Sequence, residues 1–236
     1  MVRIFGLGSL WDRLTVFGAL AFIVCMLPNT ASDLSHSAES DLSNTQQWNF
    51  DSATPGSLPG AFVVGTLLDG RPAGEWKILI TDRAESGAQV LAQLSSKGTD
   101  QAHKLLLVEE TNSANIRLSV SYLAVSGKAD QGGGLVWHAS DDRNYYLVRA
   151  SLVEQKIRLY RMIKGVQHLI KQIDHALSAG WHQLQITHQG CEIRVFSDDD
   201  ILFRVCDGTF ASGRIGLWTK ADAVTYFDDV ELQLLK

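Results

Sequence analysis

Polar and aromatic side chains that could recognise a ligand are densest between positions 141 and 149. Asp141, Asp142 and Asn144 stand in a short polar segment, and Tyr145 and Arg149 follow in an apolar run. An aromatic ring can stack on the apolar face of a sugar, while carboxylate, amide and guanidinium groups bond its hydroxyls. The pattern predicts a saccharide-binding site, and the alternative is a hairpin turn followed by an ordinary strand.

Two tryptophans are candidates for the same site. Side chains of a strand alternate between two faces, so Tyr145 and Arg149 share one face and Tyr146 takes the other. Trp137 and Trp218 each end an apolar run, and tryptophans at strand ends can form a stacking platform beside a cleft. A position in the core or at its rim is the alternative for both.

Catalytic motifs do not accompany this cluster. The seven histidines show neither H-x-H nor H-E-x-x-H spacing, and no G-x-S-x-G run is present. His138 is an acid/base candidate beside Trp137, with a surface histidine as the alternative. Hydrolysis of a glycosidic bond would need two carboxyl groups across a cleft, for which Asp141, Asp142 or another carboxylate are the candidates. We predict no catalytic residue.

A pair of aspartates near the carboxyl end raises the question of a metal. Counting by two from Leu232 places Asp228 on the core-facing side, where a carboxylate needs a partner or an ion. Calcium held by Asp228 or Asp229 together with Asp51 is one hypothesis. The alternatives are a β-bulge that turns Phe227 inward and Asp228 outward, or a carboxylate fixed by backbone N–H groups. No other cofactor is predicted.

Two cysteines follow the signal-like amino terminus, and their spacing predicts a disulfide. If Asp198 and Asp199 form a two-residue hairpin turn, pairing outward from it brings Cys191 opposite Cys206. Cross-strand neighbours of this kind lie close enough to bridge. Two free buried cysteines are the alternative.

Short strand-like runs separated by turn residues fill most of the chain. Ile116 to Val125 alternates apolar and polar residues, as a strand with one buried face does. The absence of an amphipathic run of about 10 residues favours an all-β fold of two packed antiparallel sheets. Gly132 to Gly134 precedes a strand and is expected to let two chains approach closely. The predicted strands span 61–68, 75–82, 89–94, 104–109, 116–125, 135–138, 145–150, 156–163, 167–173, 182–189, the hairpin from 191 to 206, 214–218 and 224–234.

Residues 1–31 have the layout of a secretory signal peptide. Arg3 and Arg13 precede the apolar run Leu14 to Leu27, whose 14 residues fall short of the roughly 20 that span a bilayer. Cleavage near Ala31 would export the protein to the periplasm, cell envelope or exterior. An uncleaved anchor and lipidation at Cys25 are the alternatives.

Composition limits the remaining organisation and the partners. Of the 236 residues, 32–47 form a polar, serine-rich segment that predicts a flexible linker, and 48–236 form one folded domain. The formal charge is −5 and the basic residues are scattered, which argues against nucleic acid or an anionic membrane as partner. A saccharide or another neutral ligand fits better, and no oligomeric state is indicated.

Several runs resemble exported bacterial proteins of the concanavalin A-like lectin/glucanase superfamily, near the laminin G-like domains and the 3-keto-disaccharide hydrolases. They are WNFD, DQGGGLVW, DRNYYLVRAS, KIRLYR, AGWHQLQI and GRIGLWTKADAVTYFDDVEL, between Trp48 and Leu234. The resemblance implies a jelly-roll sandwich with one concave sheet, on which many members bind or cleave saccharides. Laminarinase-type hydrolases of this fold carry an E-x-D-x-x-E strand, which this sequence lacks.

We therefore expect an exported carbohydrate-binding, lectin-like jelly-roll domain without a catalytic motif. A glycoside hydrolase of the 3-keto-disaccharide type and a structural or protein-binding envelope module are the alternatives. The predicted ligand-binding residues are Trp137, Asp141, Asp142, Asn144, Tyr145, Arg149 and Trp218.

Overall fold

The computed structural model describes residues 44–65, 73–99 and 103–236, so the predicted signal peptide and most of the predicted linker lie outside the described residues. This part of the chain forms fifteen strands and no helix. It therefore contains no helix long and apolar enough to cross a membrane. The strands are β1 (Thr45–Trp48), β2 (Phe62–Val64), β3 (Trp76–Ile80), β4 (Gln89–Gln93), β5 (His103–Val108), β6 (Ile116–Ser126), β7 (Gly132–Ala139), β8 (Tyr145–Ser151), β9 (Lys156–Ile163), β10 (Val166–Asp174), β11 (Trp181–Gln189), β12 (Glu192–Ser197), β13 (Asp200–Cys206), β14 (Arg214–Lys220) and β15 (Val224–Leu234).

The strands form two antiparallel sheets. Sheet A has the order β13-β12-β11-β6-β15-β4-β3, with β1 also paired to β15, and sheet B has the order β10-β9-β8-β7-β14-β5-β2. Chain neighbours often pair directly, as β7, β8, β9 and β10 do. The antiparallel two-sheet sandwich predicted from the sequence is confirmed.

The core lies between the sheets and follows the period of two. In β6 the buried face includes Ile116, Leu118 and Val120, and in β8 it includes Tyr146 and Val148; all five belong to one cluster. Burial of alternate side chains from both sheets is the main driving force for closing the sandwich.

β7 begins earlier than predicted because its glycines belong to the strand. A Cβ atom at Gly132 would lie 2.0 Å from the carbonyl oxygen of Ala150, and one at Gly134 would lie 2.6 Å from that of Val148. The predicted close approach of two backbone segments is confirmed: β7 and β8 pack closely at these glycines.

The linker prediction ended too late. Thr45, Gln46 and Gln47 were expected in the linker, but they pair with β15, where Thr45 lies opposite Gln233. Backbone pairing along an open strand does not require apolar side chains, so composition did not reveal this strand.

The β12–β13 hairpin has the predicted turn and a shifted register. Asp198 and Asp199 have φ values of 48° and 69°, as a two-residue turn that matches the twist of its strands requires. An irregularity at Val195 and Phe196 moves the pairing by one residue, so Glu192 lies opposite Cys206. A disulfide nevertheless joins Cys191 to Cys206, with the Cα atoms 4.8 Å apart.

A bulge interrupts β15 at the two aspartates. The pairing with β6 shifts between Asp228 and Glu231, and Phe227 and Val230 both enter the core between the sheets. The core-facing position counted for Asp228 is therefore wrong. The alternative bulge with Phe227 inward is observed, but Asp228 is buried and not outward, and backbone N–H groups hold its carboxylate as the other alternative expected.

Candidate functional site

The predicted ligand-binding residues separate onto the two faces of sheet B. Trp137 lies in the core between the sheets, stacked on Tyr146 with ring centroids 5.4 Å apart, and its indole N–H donates to His188 Nδ1. Tyr145 and Trp218 belong to a second cluster. Trp137 cannot share a cleft with them, because its side chain points to the opposite face of sheet B.

We call this second cluster the outer cluster, and its members all come from strands of sheet B. Residues of the other parity in these strands fill the core, so the outer cluster covers the face of sheet B that turns away from sheet A, here called the outer face. Tyr145 and Trp218 are each 1% exposed. The outer cluster consists of Leu105, Leu107, Val136, Ala139, Tyr145, Leu147, Met162 and Trp218, with Tyr160 packed against it.

Arg149 lies at one end of the outer face in a network of charges. Its guanidinium bonds Asp130 at 2.9 Å and also bonds Glu154, and it stands 5.9 Å from the ring of Trp218. Ser151 donates a further hydrogen bond to Asp130. Arg149 is 3% exposed. Its donors therefore serve the protein's own carboxylates, as a buried guanidinium requires.

The polar turn lies at the other end of the outer face. Asp141 accepts hydrogen bonds from the backbone N–H of Arg143 at 2.8 Å and from the amide of Asn144 at 3.0 Å. Asn144 in turn accepts from the backbone N–H of Lys164 at 2.9 Å. These two side chains hold the turn and tie it to the β9–β10 turn, as the alternative reading of this segment expected.

Asp142 is the member of the turn that faces the outer cluster. A Cβ atom placed on Gly65 would lie 3.2 Å from Cβ of Leu105 and 3.5 Å from Cβ of Asp142, so Asp142 stands at the edge of the cluster. Burial and, secondarily, the charge of Asp142 raise the pKa of Tyr145. The half-buried Asp142 and the protonated phenol thus lie on one face, as predicted for two members of the site.

His103 is a residue of this face that sequence reasoning missed. It precedes Leu105 and Leu107 at the same parity, and its ring meets Trp218 edge-on at 5.4 Å. Burial, with the charges of Lys220 and Arg149, lowers the pKa of His103 to about 4. A neutral imidazole at the rim can donate one hydrogen bond and accept another. His103 lies two residues before Leu105, so both side chains point to the same face of β5, and this spacing could have identified it.

The calcium hypothesis concerns carboxylates that already have donors. Asp228 accepts from the backbone N–H groups of Glu85, Ser86 and Asp229 at 2.9 to 3.2 Å, and burial raises its pKa to about 6. Asp51 accepts from two backbone N–H groups in the same loop, those of residues 88 and 89. Within the described ranges, no group of three His, Cys, Asp or Glu side chains is arranged to hold a metal. Neutral amides hold these carboxylates, and calcium binding stays a prediction.

A hydrolase would need a free acid and a second carboxylate. Asp141 is engaged in its own turn, and Asp142, at the rim of the outer face, forms an ion pair with Arg143 at 3.9 Å. Glycoside hydrolysis by this pair stays an alternative prediction, as does the envelope module.

Two stacked histidines lie in the core near the disulfide. His138 is 1% exposed, its ring nitrogens face the carbonyl oxygens of Phe210 at 3.0 Å and Ala114 at 2.9 Å, and its ring stacks on His188 at 4.5 Å. The expectation of a surface histidine at position 138 is wrong. With φ at 50°, His138 leaves the regular strand conformation, so counting from Trp137 could not place it.

A cavity of about 460 Å³ opens where β1 meets the bulge of β15. Its lining combines one indole, two amides and two carboxylates. The residues are Gln47, Trp48, Asn49, Asp229, Val230 and Glu231.

Comparison with known proteins gives structural matches only. No family model matches the sequence, and no curated protein matches it. The carbohydrate binding module CBM66 from Bacillus subtilis is 16% identical, with a TM-score of 0.60 over 73% of this chain and 95% of that one. A β-glucanase from Bacillus licheniformis is 9% identical, with a TM-score of 0.54 over 82% of this chain and 99% of that one.

A third structure, the GH43 protein BlXynB from Bacillus licheniformis, is 14% identical, with a TM-score of 0.56 over 83% of this chain and 40% of that one. Identities this low establish architecture and leave function open. With its two antiparallel sheets, the described domain has the concanavalin A-like jelly-roll fold.

Proposed function

We propose that this domain binds a saccharide on the outer face of sheet B and does not cleave it. The observation that carries the proposal is the convergence of Tyr145, Arg149 and Trp218 on one face, with Asp142 at its edge. Aromatic rings with polar groups around them are the usual chemistry of sugar recognition. The likeness to a structure described as a carbohydrate binding module supports the same class of ligand.

The residues at the rim would make the first contacts. Tyr145, Arg149 and Trp218 are at most 3% exposed, whereas His103, Asp142, Arg158 and Tyr160 are half-buried. A pyranose ring could lie against Tyr160 while its hydroxyls bond Asp142 and the neutral His103. We therefore assign the buried members to the floor of the site and the half-buried ones to ligand contact.

Export is part of the same proposal. The disulfide between Cys191 and Cys206 suits an oxidising compartment, and such bonds are rare in the cytosol. The predicted signal peptide agrees with this, although it lies outside the described residues. A saccharide of the cell surface or of the surroundings would be the accessible ligand.

The test is a glycan array followed by calorimetric titration of each hit against rim variants. Tyr160→Ala and Asp142→Asn should each weaken binding about tenfold, the effect of about 1.4 kcal/mol. Tyr226→Ala is the matched control, because Tyr226 is a half-buried tyrosine on a strand of sheet A. Folding of each variant is checked by circular dichroism.

Two outcomes would contradict the proposal. If no glycan on the array binds, the function is wrong. If a glycan binds and both rim variants retain full affinity, the domain binds saccharides but the outer face of sheet B is not the site.

A further inference from the structure

The cavity between β1 and β15 is separate from the outer face of sheet B, because both of its strands belong to sheet A. β1 supplies the consecutive residues Gln47, Trp48 and the adjoining Asn49, and β15 supplies residues 229 to 231. The register places Gln47 opposite Glu231 and Trp48 opposite Val230. The two ends of the described domain thus build one site together.

The bulge in β15 gives this site its acidic groups. Val230 enters the core, so its neighbours Asp229 and Glu231 have their side chains on the other face. Asp229 has a φ of 47°, a left-handed conformation that is uncommon outside glycine, and Asp228 accepts its N–H at 2.9 Å. Strained bulge residues held by their surroundings are frequent at binding sites.

Hydrogen bonds position the polar groups of the lining. Gln47 donates its amide to Glu231 at 2.7 Å, and Ser86 donates its hydroxyl to Asp229 at 2.8 Å. Each carboxylate retains a second oxygen, and Asn49 is exposed. The lining therefore offers oriented carboxylate oxygens as acceptors, the side-chain amides of a glutamine and an asparagine, and the half-buried Trp48.

We propose that this cavity is a second saccharide-binding site, for a neutral sugar of one or two rings. Its volume of about 460 Å³ lies within the range of small-molecule pockets. Sugar hydroxyls can donate to Asp229 and Glu231 and accept from the amides of Gln47 and Asn49. Trp48 lies opposite Val230 and packs edge-on against Phe62 with ring centroids 5.9 Å apart, so it lines the cavity from its apolar, core-facing side.

The charge of the lining selects among ligand classes. Two carboxylates and no cationic side chain among the lining residues disfavour phosphates and other anions. A metal cation would compete with the neutral donors Gln47 and Ser86, which already occupy one oxygen of each carboxylate. A neutral ligand with several hydroxyl groups can bind to the carboxylates and amides without displacing these hydrogen bonds.

The experiment is a titration of the isotope-labelled chain with cellobiose and, separately, sucrose, followed by NMR. The side-chain amides of Gln47 and Asn49 and the indole N–H of Trp48 should shift with one dissociation constant. Asn49→Ala and Glu231→Gln should each raise that constant about tenfold, as expected for loss of a hydrogen bond to a charged or well-positioned group. Asn49 is exposed, so its variant should fold; Glu192→Gln, a carboxylate of β12, is the matched control.

The outcomes separate this site from the first. Shifts confined to the outer face of sheet B would contradict the second site and leave the proposed function standing. Shifts at the cavity alone would support the second site and contradict the outer-face assignment. Calcium chloride alone shifting the cavity resonances, with neither sugar doing so, would show a cation site and overturn the inference.

Discussion

The two ends of sheet B stabilise buried polar groups in opposite ways. At one end the buried guanidinium of Arg149 forms ion pairs with Asp130 and Glu154. At the other end His138 of β7 stacks across the core on His188 of β11, a strand of sheet A, and burial lowers the pKa of both. One end is held by paired charges and the other by imidazoles that stay neutral.

The difference shows what each end tolerates. A buried ion pair is costly to break by removing one partner, because the other charge stays in a poorly solvating environment. A neutral histidine pair is costly to protonate, because the charge then appears in a buried site beside a second imidazole, and the nearby Asp207 offsets this only in part. Truncation should therefore damage the arginine end most, and acid should damage the histidine end most.

The largest expected effect is at the arginine end. Arg149→Met should lower the free energy of unfolding by about 3–5 kcal/mol, since it leaves the carboxylate of Asp130 buried without its cation. Urea denaturation measures the change. Arg158→Met is the matched control: this half-buried arginine also pairs with Glu154, and its loss should cost less than about 1 kcal/mol. Equal costs for the two variants would contradict the distinction.

The disulfide adjoins the histidine end and should matter next. Asp207, which follows Cys206, donates its N–H to the carbonyl of Cys191 at 2.8 Å and accepts from Tyr146 at 2.6 Å. Replacing both cysteines by alanine should cost about 2–4 kcal/mol in urea denaturation. Treatment of the wild type with reductant should reproduce this loss. A double-alanine variant as stable as the oxidised wild type would show that the bond does not support this end.

Acid should weaken the histidine end through His188. Its pKa is lowered to about 4 from 6.5, chiefly by burial and then by His138; Tyr146 and Asp207 also lie near it. Between these two pKa values His188 is protonated in the unfolded chain and neutral in the folded chain. The free energy of unfolding therefore falls as the pH drops from about 6.5 to 4. The loss should reach about 3 kcal/mol at most for a shift of this size.

His188→Gln should flatten this dependence while its carbonyl still accepts from the indole of Trp137. The measurement is urea denaturation of both proteins across the pH range. Asp228 acts in the opposite direction: its pKa is raised to about 6, so its contribution improves as the pH falls. Because both proteins contain Asp228, its contribution cancels, and their difference reports His188 together with its coupling to His138. Parallel curves would contradict the assignment.

The smallest effect should come from His103. Its pKa is also lowered to about 4, but it lies at the half-exposed rim of the arginine end, where solvent screens the charge. His103→Gln should change stability at pH 5 by less than about 1 kcal/mol. Thermal unfolding at pH 5 and 7 measures this change, and an effect larger than that of His188→Gln would reverse the comparison.

Much of the scaffold was predictable because local rules decide it. Alternation in β6 and in β8 placed Ile116, Tyr145 and Arg149 on their faces, and the turn at Asp198 follows from two adjacent residues. The exceptions arise where regular counting is interrupted. The bulge after Asp228 and the left-handed His138 each moved side chains to a face that a period of two did not predict.

The candidate site was predictable only in part, because side chains that share one face of a sheet can still be buried. Tyr145, Trp218 and Arg149 share the outer face as parity allowed, and yet they are buried, whereas Trp137 has the opposite parity and lies in the core. His103 was missed, since its role depends on β5 lying next to β14 in sheet B. Such neighbouring strands are distant in sequence, so the spacing of residues along the chain does not reveal which strands pair.

By itself the sequence determined the all-β class, most of the strand positions and the parity of the polar cluster, because these depend on residues a few positions apart. Only the tertiary structure decided which groups are buried, which carboxylates face Arg149 and which face backbone amides, and that β1 and β15 enclose a cavity. Those outcomes depend on pairing between segments far apart in the chain, where burial and long-range hydrogen bonding act together.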